Sequence, residues 1–331
     1  MSQTDPYQQL SEAIGVTDST LIPQLFKMLA DENEAKVLLA ASPPASVEEL
    51  SEKTGIPKDE VEKMIDPLFK KGLIYKSSKR DPQRYYRVRR LLQFHDATIL
   101  APDMPPEYID LWKKYHETEF LDHHKKIEAS ITQSHVRVVP VNITVEAGAQ
   151  VAAFEDVKQI VEDADTLAVT KCTCRAIDGA CGLPVEVCIQ INRAADYAIE
   201  RGTGRQLTKE ETIEMLKMCE EEGLVHTVTN HRTLGHIICN CCADCCINWP
   251  GPRTSPVGFA APSRFAAVVD PDLCTACETC LDRCYFDALK VEDDIAQVDE
   301  EKCMGCGLCV VTCPTEAMTL KELRGEDFVP E

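Results

Sequence analysis

One cysteine spacing occurs twice near the end of the chain, and it limits what that region can fold into. The first copy, starting at Cys274, reads C-T-A-C-E-T-C-L-D-R-C; the second, starting at Cys303, reads C-M-G-C-G-L-C-V-V-T-C-P. Both are C-x2-C-x2-C-x3-C, the spacing of bacterial iron–sulfur ligation. Three thiolates at three-residue steps on a loop can wrap three corners of one cube. The fourth, beyond a longer gap, is carried away as the following segment turns helical, and it ligates the other cluster. Cys274, Cys277 and Cys280 are therefore expected to share one cubane with Cys313, and Cys303, Cys306 and Cys309 to share the second with Cys284.

The copies stand 29 residues apart in perfect register, and Ala288 falls on Ala317. A fixed period signals one supersecondary unit used twice. Here each unit must complete its neighbour's cluster. With these eight cysteines, Pro314 after Cys313, and the short apolar runs Ala266–Val269 and Ile295–Val298, the stretch from about 262 onward resembles a bacterial two-cluster ferredoxin. The resemblance implies two [4Fe-4S] centres in a small α+β domain. Tyr285 departs from it, standing where the first repeat would carry proline. Zinc also takes C-x2-C, but in paired knuckles of four thiolates, not in two triads each with an outlying partner.

Eighteen cysteines are many for 331 residues. A disulfide framework would need export, and Met1–Leu10 has neither a basic start nor an apolar core. Arg89-Arg90 is internal and is no twin-arginine address. No apolar run reaches bilayer length. The cysteines read as metal ligands in a reducing cytoplasm, without membrane insertion. The net charge of −20 is concentrated, with sixteen acidic against six basic side chains from Pro262 to Glu331. Such a face steers towards a redox partner with a basic docking face and away from nucleic acid.

Near the other end, Leu21–Leu29 and Asn33–Ala41 carry helical periodicity. Ser46-Val-Glu-Glu49 is a capping box opening a second helix, which Gly55 ends. Pro57-Lys-Asp-Glu60 opens a third with Val61, Met64, Ile65 and Leu68 on one face. Leu73–Tyr75 and Tyr85–Val88 would pair as a hairpin with the basic tip Lys76–Arg84. Residues from about 20 to 92 thus resemble the winged-helix fold of arsenic-repressor-type regulators. The resemblance would make the third helix a DNA reader. Its leading turns instead carry Asp59, Glu60 and Glu62 against Lys58 and Lys63, and it holds no Arg, Asn or Gln to read bases. Pro67 is expected to distort it. A protein-docking or homodimerising winged helix is the expectation, with DNA the minority reading.

After the linker Ala101–Pro106, Glu107–Ile127 reads as one amphipathic helix whose His116, His123 and His124 fit a solvated face. Val136–Val141 is a short strand with Pro140 at an edge. A helix at Val157–Val161 leads into a strand at Leu167–Val169, which ends in Lys171-Cys-Thr-Cys-Arg175. Helices are expected at Val185–Arg201 and, behind the capping box Thr208-Lys-Glu-Glu211, at Glu210–Glu222, then a strand at Leu224–Thr229. Two cysteine groups would meet at one end of this layer: Cys172, Cys174, Cys181 and Cys188, and the run Cys239, Cys241, Cys242, Cys245 and Cys246. Adjacent Cys-Cys pairs and C-x-C suit zinc knuckles poorly, so one or two further iron–sulfur clusters are expected, on a subset of the nine. Lys171 and Arg175 would offset the charge of thiolate-bound metal. Cys219 is expected to be unligated on a polar helix, and His226, His231 and His236 to be structural or at the surface. The stretch from about 107 to 260 looks like a module of large ferredoxin-type proteins of anaerobes, for which the resemblance implies redox character only.

The sequence thus predicts an α+β, multidomain chain: a winged helix over 1–100, a central α/β cysteine-rich module over 101–260, and a ferredoxin-like domain over 261–331. No dinucleotide fingerprint, Walker loop or catalytic triad is present; Gly202-Thr-Gly-Arg205 is too short to qualify. The function expected is electron transfer in cytoplasmic anaerobic metabolism, as a carrier or oxidoreductase subunit more than a stand-alone enzyme. The alternatives are a redox-sensing winged-helix regulator and a redox enzyme with a substrate-binding cluster in the central module.

Overall fold

Side chains that cap or terminate helices set the N-terminal architecture. The computed structural model describes residues 5–77, 81–141, 155–179, 181–233, 235–248 and 258–331, and the chain divides into two compact units. The first comprises Met1–His124 with Arg201–Thr203. Its elements are α1 (Pro6–Ala13), α2 (Ile22–Leu29), α3 (Glu32–Ala40), α4 (Val47–Thr54), α5 (Lys58–Lys70), β1 (Ile74–Lys76), β2 (Tyr85–Arg87), α6 (Leu91–Ile99) and α7 (Pro106–Tyr115). A π-helical turn at His116–Phe120 leads into α8 (Leu121–Ser130), which runs on past the unit's end.

Asp31 with Glu34 and Ser46 with Glu49 form reciprocal capping boxes on α3 and α4, each worth about 1 kcal/mol. Gly55 ends α4 in the left-handed region. Leu25, Phe26, Val37, Leu38, Leu50, Val61 and Leu68 are fully buried, and Phe26 stacks on Phe94 at 4.0 Å between ring centroids. The wing is an antiparallel hairpin pairing Ile74 with Arg87 and Lys76 with Tyr85. Residues 78–80 of its basic tip lie outside the described residues.

Two expectations need correcting here. The α5 helix runs through Pro67, because the bond the proline forfeits lies in the last turn. The histidines after residue 107 do not form a solvated face. His123 and His124 are buried; His123 meets the Tyr115 hydroxyl and Asp18, each at 2.9 Å. His116 stacks on His95 at 5.1 Å, and burial pushes its imidazole down to about 3. Trp112 and Phe94 complete this aromatic pile, and the π turn passes through it.

The second unit comprises Lys125–Glu200 and Gly204–Glu331. It contains β3 (Val136–Val138), α9 (Val157–Glu162), β4 (Leu167–Lys171), α10 (Thr173–Asp178), β5 (Glu186–Ile191), α11 (Arg193–Arg201), β6 (Gly204–Leu207), α12 (Lys209–Glu221), β7 (Val225–Thr229), β8 (Ile237–Cys241) and β9 (Ala260–Ala261). These strands form one sheet in the order β6-β4-β5-β8-β7-β3-β9, antiparallel except where β9 runs parallel to β3. Antiparallel pairing makes the module α+β, in keeping with the class expected of the whole chain. The helix expected at Val185–Arg201 is instead strand β5 followed by α11. Glu-Val-Cys-Ile-Gln-Ile alternates with β-branched residues, as a pleated strand requires, and Asn192 breaks it at φ 52°. The strand at Val136 stops at Val138, before Pro140, and lies inside the sheet.

Side chains on a strand alternate between faces. Leu167, Val169, Ile189, Ile191 and Ile238 pack with Val157, Ile160 and Val161 of α9 and Leu216 of α12 into one core. The intervening residues, among them Cys188, Cys239 and Cys241, belong to the opposite face.

The C-terminal lobe follows as β10 (Phe265–Val269), α13 (Thr279–Asp282), β11 (Leu289–Glu292), β12 (Ile295–Val298), α14 (Leu308–Val311) and β13 (Met318–Glu322), with a 3-10 turn at Glu326–Phe328. Antiparallel pairs β10–β13 and β11–β12 flank the two short helices. The sequence repeat is also a backbone repeat. Ala276, Glu278 and Asp287 take positive φ, and so do Gly305, Gly307 and Glu316 at the same register. The lobe is fastened to the sheet module by Arg264, whose Nε meets Glu155 at 2.5 Å and whose Nη1 meets Glu322 at 2.9 Å. Glu155 is fully buried and Arg264 nearly so. Removing one partner of such a pair strands a buried charge, so Glu155→Ala should cost about 3 kcal/mol, measured as a lowered denaturation midpoint with an unchanged denaturant slope.

Candidate metal centres

Short loops on either side of α13 and α14, with Cys280 and Cys309 on the helices themselves, deliver the eight repeat cysteines to two cavities. One is lined by Cys274, Cys277, Cys280 and Cys313; the other by Cys284, Cys303, Cys306 and Cys309. Each cavity is thus lined by three cysteines of one repeat and one of the other. Each cavity also takes a main-chain donor from the opposite repeat. The Ala296 N–H points at Cys274 Sγ and the Ala267 N–H at Cys303 Sγ, both at 3.5 Å. Four thiols lining one cavity, with an N–H group aimed at sulfur, fit a cubane held by charge-stabilised thiolates.

The two cavities differ in their surroundings. Cys277 is exposed, and hydrogen bonds from Thr279 hold its thiol below the ordinary range. The second loop is packed into protein: Ser263 donates to the Gly305 carbonyl at 2.8 Å, and the Val141 N–H donates to the Cys306 carbonyl at 2.9 Å. Burial pushes the Cys306 thiol up to about 12. That packing explains a sequence difference. Ala276 stands where the second repeat has Gly305, and a Cβ on Gly305 would lie 2.0 Å from the Phe265 carbonyl oxygen. Tyr285, in place of a proline, donates its hydroxyl to the Gly223 carbonyl at 2.8 Å, and Arg283 donates to the Glu221 carbonyl at 2.9 Å. Both clasp the C-terminal end of α12.

The nine central cysteines gather at one end of the seven-stranded sheet, in two sets that their spacing did not reveal. Six form a closed ring of side-chain contacts. Cys172 touches Cys174 and Cys188; Cys188 touches Cys239; Cys241 touches Cys239 and Cys246; and Cys246 touches Cys174. Neighbouring strands build it: Cys188 from β5, Cys239 and Cys241 from β8, and Cys172 just past β4. The other three, Cys181, Cys242 and Cys245, converge separately, with Cys181 Sγ 3.9 Å from Cys242 Sγ and 3.8 Å from Cys245 Sγ.

Arg175 is buried and donates to the carbonyls of Pro184 and Asn240, as well as to the sulfur of Cys242. Lys171, expected beside it, is exposed at the end of β4. Cys219 is fully buried, not on a polar face. Thr212, Leu216 and Cys219 recur at helical spacing on the inner side of α12, and burial pushes the Cys219 thiol up to about 12. His226 is structural: its ring meets Asn240 Oδ1 at 2.6 Å, and Asn240 in turn donates to the Val187 carbonyl at 2.6 Å. This orients the asparagine between the first two cysteines of the β8 run. Sequence reading missed its role, for which the only signal was an Asn inside a cysteine run.

Comparison with known proteins bears on both ends of the chain. Residues 267–320 match the family model of the 4Fe-4S dicluster domain. The C-terminal lobe is a dicluster domain. Residues 31–90 match the model of the sugar-specific transcriptional regulator TrmB, so the N-terminal winged helix stands, matched to that regulator family. No curated protein and no solved structure matches the chain. The regulator match conflicts with the expectation that nucleic acid is not a partner. That expectation rested on the side chains of one helix; the family match covers the whole frame around it, and a nucleic-acid partner is restored as a candidate. Among the described residues, no helix is long and apolar enough to cross a membrane.

The dicluster domain's asymmetry is testable at equivalent positions. Gly305→Ala should destabilise the domain by about 2–4 kcal/mol and drop its iron from about eight towards about four per chain. Ala276→Gly should leave the iron content unchanged.

Proposed function

We propose that the chain is an iron–sulfur electron carrier, a one-electron relay subunit of cytoplasmic anaerobic metabolism rather than a stand-alone enzyme. The observation that supports this most is the pair of crossed four-cysteine cavities, one with Cys277 exposed and one whose loop packs against the sheet module. Cys274, Cys277, Cys280 and Cys313 would hold one [4Fe-4S] group, and Cys284, Cys303, Cys306 and Cys309 the other. The six-thiol ring around Cys188 would hold a further iron–sulfur cluster. One-electron exchange is the chemistry such groups supply when bound.

The chain's own side chains do the rest. The Ala267 and Ala296 amides would steady thiolate charge, while Val141, Ser263 and Phe265 pack on the loop from Gly305 to Gly307. Glu278, Asp282, Asp293 and Asp294 are exposed on the lobe that carries Cys277 and would steer a partner with a basic docking face.

A second reading draws on residues 31–90: a DNA-binding regulator, working as a homodimer, whose clusters gate the winged helix. The charges on α5 weigh against it. Lys58 pairs with Glu48, Lys63 with Asp59 at 3.4 Å, and Lys70 with Asp66 at 3.0 Å. In the wing, Arg84 is bound to Pro44 and Glu49. Protein purified without oxygen should contain about twelve irons per chain with matching sulfide, and dithionite should bleach its visible absorbance. A sample that does not bleach would end the carrier reading. A gel shift with duplex DNA that is lost as salt rises would favour the regulator, and no shift even at low salt would remove it.

A further inference from the structure

The spacing of sulfur atoms separates the triad Cys181, Cys242 and Cys245 from every other cysteine set in the chain. Its three Sγ atoms all lie within 4.8 Å of one another, and among the described residues no other set of three or more histidine, cysteine or carboxylate ligand atoms meets that condition. The dicluster cysteines, which surround open cavities, do not. In a cubane each thiolate binds its own iron at a separate corner, so the sulfurs must stand apart. Thiolates around a single tetrahedral ion lie closer, because a metal–sulfur bond of about 2.3 Å gives a tetrahedron edge of about 3.8 Å. The measured edges of 3.9 and 3.8 Å are those of the second case.

The surroundings are built for such an ion. Cys242 and Cys245 are buried and Cys181 half-buried, packed with Cys219, Val187 and Leu224. Arg175, 1% exposed, bonds to carbonyls on both segments that deliver the triad, Pro184 after Cys181 and Asn240 before Cys242. It therefore fixes the two segments relative to each other, and its charge offsets the single negative charge left by three thiolates on a divalent ion. Among the described residues, no fourth ligand atom of the same kinds joins the three.

We propose that Cys181, Cys242 and Cys245 bind one divalent ion of the zinc class through three thiolates, leaving the fourth position to water or a small exchangeable ligand. Closed four-ligand sites are structural, whereas three protein ligands with an open place are the pattern of zinc used chemically. The site adds to the carrier reading a centre that exchanges ligands and not electrons. Arg175 is its positioning residue, and binding would release the thiol protons.

The full chain, purified without oxygen, should carry about one zinc besides its iron. Zinc-edge X-ray absorption should find three sulfurs at about 2.3 Å and one lighter atom. Cys242→Ser and Cys245→Ser, made separately, should each lower zinc at least about tenfold while the iron content holds. Cys219→Ser should retain both metals. Absence of zinc, with iron and sulfide lost together in Cys245→Ser, would overturn the single-ion assignment. Four sulfurs around zinc would overturn the open position. Failure of dithionite bleaching would end the carrier reading and leave the zinc measurements untouched.

Discussion

Neither repeat of the dicluster domain can close a cage alone. Each contributes three thiols to one cavity and a fourth to the other, together with a strand amide aimed at its neighbour's sulfur. That exchange obliges the halves to face one another, and the pairing of β10 with β13 and of β11 with β12 follows. The left-handed backbone positions belong to the same constraint. A loop with ligands every third residue must turn back on itself, and the chain does so at Ala276 and Glu278 in one copy and at Gly305 and Gly307 in the other. Duplication supplied the symmetry; the environment then broke it. Where the loop meets solvent, alanine and glutamate tolerate positive φ. Where it lies under Phe265 and Val141, only glycine leaves room.

The same asymmetry joins the dicluster domain to the sheet module. The Tyr285 hydroxyl and the Arg283 guanidinium reach carbonyls at the end of α12, and α12 carries Cys219 towards the central thiols. A proline in place of Tyr285 would remove the donor to the Gly223 carbonyl and leave Arg283 alone at that helix end. The cavity lined by Cys306 is thus the one beside the module with further cysteines, and the other holds the exposed Cys277.

Much of this was legible from residue order. The eight repeat cysteines, their crossed assignment, the capping boxes at Ser46 and Thr208, and the winged-helix frame all depend on short-range spacing, which a sequence displays directly. Strand β5 was not legible as a strand. Its six residues run into a strongly helical segment, and only the sheet partners on both sides decide in favour of extension. Cys219 and the buried histidines misled for a related reason: a helix rich in charge still has an inner face, and its direction depends on what packs there. The division of nine central cysteines into a ring and a triad depends on strand order. Residues 188 and 239 lie far apart in sequence and become neighbours because β5 and β8 pair. Pro67 shows that position within a helix outweighs residue type, since a break near the last turn forfeits little.

The strand that precedes the dicluster domain carries a separate consequence. Ala260–Ala261 is only two residues long, yet it forms one border of the seven-stranded sheet. A border so brief offers an incoming chain almost no ladder to extend, and the opposite border, Gly204–Leu207, presents exposed Arg205 and Gln206. Short or charged borders discourage edge-to-edge growth. A module crowded with thiols is thereby guarded against polymerising through its backbone.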